Sequence, residues 1–142
     1  MDRSDAMRGA CYAIYHLHVS DIVNIQRLSA VYPLLPSILS NHVNNADVMR
    51  DACYAIDHLS VSDCVNIQRL SAVYPLLPSI LSNHVNNADV MRVVCHTFAC
   101  LCCDDESNCH GLIECCSLLS IVLSRHLTNN EVCRTFVNGL LI

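Results

Sequence analysis

The chain has 142 residues and a mass of 15.7 kDa, enough for one ordinary domain with a sizeable core. Hydrophobic residues make up 53% and charged residues 15%, which excludes a disordered tail; the formal net charge of −5 argues against a general nucleic-acid binder and favours basic partners. No apolar run reaches the roughly 18 residues of a membrane span, "MDRSDAMRGA" lacks a signal peptide's apolar stretch, and 11 cysteines, an odd number without such a signal, point to reduced thiols in the cytoplasm and nucleus.

The opening segment, "MDRSDAMRGACYAIYHL", reads as part of a long helix carrying Tyr12 and His16 four residues apart. Residues 9–50 then recur as 51–92. The two copies differ only at Gly9/Asp51, Tyr15/Asp57, His18/Ser60 and Ile22/Cys64, so 38 of 42 positions are identical. A diverged third unit spans 93–134, where "SLLSIVLSRHLTNNEVCR" (117–134) stays in register with "PLLPSILSNHVNNADVMR" (75–92). A fixed period of about 40 residues is the mark of a solenoid or a propeller.

The hydrophobic spacing selects helices. In "NNADVMRDACYAIDHL", Val48, Ala52, Ile56 and Leu59 form one stripe of a 3.6-residue helix. Asn45 is placed to cap that helix, and Asp47 to complement its dipole in the first turn. Asn87/Asp89 and Asn129/Glu131 repeat that start. "SDCVNIQRLSAV" (62–73) predicts a short helix with Val65, Ile67 and Leu70 inward. "YPLLPSILSNH" (74–84) predicts another, with Pro75 or Pro78 in its first turn, where a missing N–H costs least. The third unit shows a break at Asp104–Asn108, and the chain closes in a long helix, "NNEVCRTFVNGLLI".

Short helix, helix, long helix within one such period is the armadillo plan. "DACYAIDHLSVSD", followed by "NIQRL", a proline and "NNADVMR", resembles the repeat of importin alpha (karyopherin alpha) across residues 51–68 and their copy at 9–26. The resemblance implies an all-α, right-handed armadillo (ARM) superhelical solenoid of about three three-helix repeats. It implies one domain over 1–142, with a partial unit at 1–20 and units at about 21–62, 63–104 and 105–142. It further implies an adaptor that binds extended basic peptides, nuclear localisation signals, in a concave groove lined by the long helices. The alternative is a general armadillo protein–protein interaction scaffold, a degenerate or truncated paralogue of importin alpha.

On the long helix Asp47, Asp51, Tyr54 and His58 share a face apart from the apolar stripe. Carried over from the family's tryptophan and asparagine array, Tyr12 and Tyr54 take the tryptophan place, and His16 and His58 the asparagine place. Asp51 and Asp57 supply nearby negative charge, and His96 with Cys100 continues the pair in the third unit. Several features depart from the family. The chain has no tryptophan, "SAVYP" lacks the usual glycine, and no basic arm for importin beta precedes the first unit. Helices beginning and ending the chain suggest self-association through uncapped apolar faces.

Other chemistry finds little footing in the sequence. Eight cysteines fall within residues 95–133, yet their order fits no paired zinc template, so they read as small packing residues and no metal or other cofactor is expected. Glycine-rich phosphate loops, Gly-x-Ser-x-Gly and His-Glu-x-x-His are all absent from the sequence. Cys95 and His96 are adjacent, so on a helix their side chains diverge by about 100°. An enzyme is not expected.

Overall fold

The computed structural model describes residues 3–20, 30–60, 70–102, 110 and 113–140. These hold seven α-helices, one 3-10 helix and no strand, an all-α fold. In chain order the helices are α1 (Arg3–Ser20), α2 (Leu34–Asn41), α3 (Ala46–Ser60), the 3-10 segment Ser71–Leu76, α4 (Leu77–His84), α5 (Ala88–Cys102), α6 (Cys116–Arg125) and α7 (Asn130–Leu140).

The long helices start as the sequence suggests. Asn45 Oδ1 accepts the backbone N–H of Val48 at 3.1 Å, Asn87 does the same for Val90 at 3.1 Å, and Asn129 for Val132 at 3.2 Å. Each bond satisfies one of the N–H groups that a helix start leaves without an intrahelical acceptor. The expected stripe is the core face of α3: Val48, Ala52, Ile56 and Leu59 are all 0% exposed. Burying each of the larger ones contributes about 1.5–3 kcal/mol.

The entry to the shorter helix differs from the sequence expectation. Residues 74–84 do not make one helix. Pro75 lies inside the 3-10 segment, and the α-helix begins at Leu77 with Pro78 in its first turn. A proline ring clashes with the carbonyl four residues earlier in an α-helix interior, so the tighter 3-10 geometry takes up the first proline. The short helix expected over 62–73 lies largely outside the described residues, as does the break at Asp104–Asn108; Leu70, expected to face inward, is fully buried.

Packing follows the repeat. The long helices contact one another in chain order, α1 on α3, α3 on α5 and α5 on α7. The shorter elements form a second series, α2 on the 3-10 segment and α4 on α6, and the two series bury Leu35, Leu39, Leu77, Ile80, Leu81 and their neighbours between them. Polar ties recur with the same period. His84 Nε2 donates to the Val43 carbonyl at 2.7 Å and His126 Nε2 to the Val85 carbonyl at 2.8 Å. Asn83 donates to Asn44 Oδ1 at 3.1 Å and Arg125 to Asn86 Oδ1 at 2.9 Å.

Candidate functional site

Because α1 and α3 lie side by side, their ring-bearing faces meet. Among the described residues Cys11, Tyr12, Tyr15, Asp51, Tyr54 and His58 line one open hollow of about 380 Å³. The Tyr15 ring stands perpendicular to His58, with centroids 4.3 Å apart and an interplanar angle of 90°. This edge-to-face arrangement is the favoured geometry for quadrupolar rings. Tyr12 is 64% exposed, so much of its side chain is accessible to a ligand.

Four of the expected site residues, Tyr12, Asp51, Tyr54 and His58, therefore converge. His16 stands beside the hollow, its ring 4.3 Å from Tyr12 and 4.9 Å from Tyr15. Asp57 and His96 face each other across α3 and α5, His96 Nδ1 lying 3.1 Å from Asp57 Oδ1. Tyr15 was not among the residues the sequence put forward. Its signal was present, since it is one of the four positions at which the two near-identical units differ, with Asp57 in its place.

The charges near the hollow are engaged within the protein. Asp51 accepts from Arg8 Nε at 3.0 Å and from Arg50 Nε at 3.1 Å. Asp47 pairs with the same two guanidinium groups at 3.7 and 3.3 Å. The hydrogen bond to Asp51 and the charge of Asp47 hold Arg8 above its usual pKa, and the four groups form a neutral cluster. Asp47 does more than complement a dipole: it helps clamp α1 to α3. Across the next seam Arg92 donates to Tyr54 Oη at 2.7 Å and approaches Glu131 at 3.6 Å; the Tyr54 hydrogen bond raises the Arg92 pKa.

The cysteines divide by environment. Cys11, Cys53, Cys95 and Cys115 are buried, as expected of packing residues. Burial pushes the thiols of Cys53 and Cys95 up to about 12 and that of Cys11 to about 11, because a thiolate loses its hydration there. Cys100 differs. It is half-buried, and its Sγ lies 3.8 Å from His96 Nδ1.

The described helices include none long and apolar enough to cross a membrane. Comparison with known proteins finds no matching family model, no matching curated protein and no matching solved structure.

Proposed function

We propose that the chain is an armadillo-type stack of three-helix units that holds an extended peptide across its long helices, as an importin-alpha-like adaptor for basic segments passing between cytoplasm and nucleus. The single observation that carries this reading is the hollow in which Tyr12, Tyr15, Tyr54 and His58 from two successive long helices surround one open space. Packed helices lie roughly 8–10 Å apart, and an extended chain advances about 3.3–3.6 Å per residue. One peptide side chain in every three then meets a new seam. The exposed Tyr12 ring suits the aliphatic stem and cationic head of lysine or arginine.

A second reading is favoured by a separate observation. Asp51 is held by two arginines, Asp57 faces His96, and Arg92 sits on the Tyr54 hydroxyl. The one carboxylate described as lining the hollow, Asp51, is thus neutralised by Arg8 and Arg50, which suits a general protein-interaction scaffold whose partner inserts an apolar or aromatic side chain.

Titration of a fluorescent lysine-rich peptide and its alanine-substituted control, each at two salt concentrations, separates the two. Tighter, salt-weakened binding of the lysine peptide supports the import reading. Equal, weak binding of both removes it and leaves the scaffold.

A further inference from the structure

The three positions that bring Tyr15, Tyr54 and His58 to the first seam recur one repeat later as Asp57, His96 and Cys100. In the second seam the repeat thus exchanges an aromatic cluster for one oxygen, one nitrogen and one sulfur donor, all within 4.8 Å of one another. We propose that Asp57, His96 and Cys100 form a binding site for a divalent transition-metal cation of the zinc type, stapling α3 to α5.

Helix register, a shielded oxygen and the donor spacing carry the site. His96 and Cys100 stand at i and i+4 on α5, so both project from one helical face toward α3. Asp57 Oδ1 is shielded from solvent and has no hydrogen-bond partner, although His96 Nδ1 is only 3.1 Å away. Such closeness without hydrogen-bond alignment is what two lone pairs converging on a shared cation would show. A tetrahedral zinc ion, with its ligand atoms at about 2.0–2.3 Å, holds nitrogen, oxygen and sulfur donors roughly 3.3–3.6 Å apart. The observed 3.1 Å between oxygen and nitrogen and 3.8 Å between nitrogen and sulfur bracket that range.

The donor set also selects the ion. Imidazole and thiolate favour zinc and its neighbours in the transition series over magnesium or calcium, which take oxygen ligands. His96 is 54% exposed on its side chain, leaving the fourth coordination position open to water or to a partner's side chain. On binding, the metal–sulfur bond forms as the Cys100 thiol gives its proton to solvent, so affinity falls as the pH is lowered. Sequence spacing hides this site because one ligand, Asp57, belongs to a different unit and a different helix from the other two. The proposal stands whether or not the hollow holds a peptide.

Cobalt(II) is the probe, since a cobalt–thiolate bond absorbs in the near ultraviolet where cobalt in water does not. Titration of the reduced, metal-stripped full chain is expected to give that band at one equivalent and to raise the Tm. His96→Gln and Cys100→Ser should each weaken binding about 100-fold or more, beyond what loss of an outer-shell partner costs, and Asp57→Asn should weaken it as well. Cys116→Ser, which alters an exposed thiol outside the set, should leave the band unchanged. Circular dichroism of each variant establishes that it folds. A band of unchanged intensity and affinity in folded His96→Gln and Cys100→Ser would assign the metal to other cysteines and overturn the site, as would the absence of any band in the unaltered chain.

Discussion

His84 places Nε2 2.7 Å from the carbonyl oxygen of Val43, joining two units through a ring only 6% exposed. His126 repeats the contact on Val85 at 2.8 Å. The two bonds lie in the helix–helix turns, where carbonyls beyond a helix end have no intrahelical donor.

Replacing His84 with alanine leaves the Val43 carbonyl without its partner and opens a small void. A loss of about 1–3 kcal/mol in unfolding free energy is expected, read as a lower urea midpoint. His84→Gln, which retains an N–H at similar reach, should lose less. Equal stability of all three proteins would show that the tie contributes nothing.

The buried thiols make stability fall in alkaline solution. Cys53 and Cys95 titrate near 12 in the fold against an ordinary value of 9.0, so above pH 9 the unfolded chain releases protons that the folded chain keeps. Their contribution is fully present below pH 9 and is lost as the pH rises toward 12, at roughly 1.4 kcal/mol per pH unit for each thiol. Urea midpoints measured between pH 8 and 10.5 should decline over the upper half of that range. Mapped alkylation at pH 8 should modify exposed Cys116 well before Cys53 or Cys95.

Tyr12→Ala tests the hollow with little disturbance to the fold. The ring is 64% exposed, so stability should change by no more than about 0.5 kcal/mol. Peptide affinity should drop several-fold if the ring carries a side-chain stem, a change that fluorescence anisotropy resolves. Tyr54→Phe keeps the ring and removes the acceptor for Arg92; it should retain most of the affinity that Tyr54→Ala loses.

In the core, Ile56→Ala removes a fully buried side chain at the α3 seam. The cost should be about 2–5 kcal/mol, from lost transfer energy and the cavity left behind. Thermal unfolding of the variant should show a correspondingly lower Tm.

Much of the architecture could be read along the chain because its signals are local. A constant repeat length, asparagines with an acidic residue two positions on, and apolar residues at helical spacing specify where the long helices begin and which stripe they bury. The 3-10 segment is less legible, since either Pro75 or Pro78 satisfies the first-turn rule; the structure places Pro75 in a 3-10 segment that contacts α2 and α4, and Pro78 in the first turn of α4.

The site was legible in part. Spacing within one helix places Tyr54 and His58 on a common face, but it says nothing of the neighbour opposite them. The contacts of Tyr15 with His58, Asp57 with His96 and Arg8 with Asp51 each join residues about one whole repeat apart. Each depends on the axial offset and rotation at which one long helix settles against the next, and those follow from how the side-chain ridges of both interlock. Helix identity and core face were thus present in the order of the residues. The seams, with an aromatic cluster in one and three metal-type donors in the other, arise from the packing of helices whose local patterns are nearly the same.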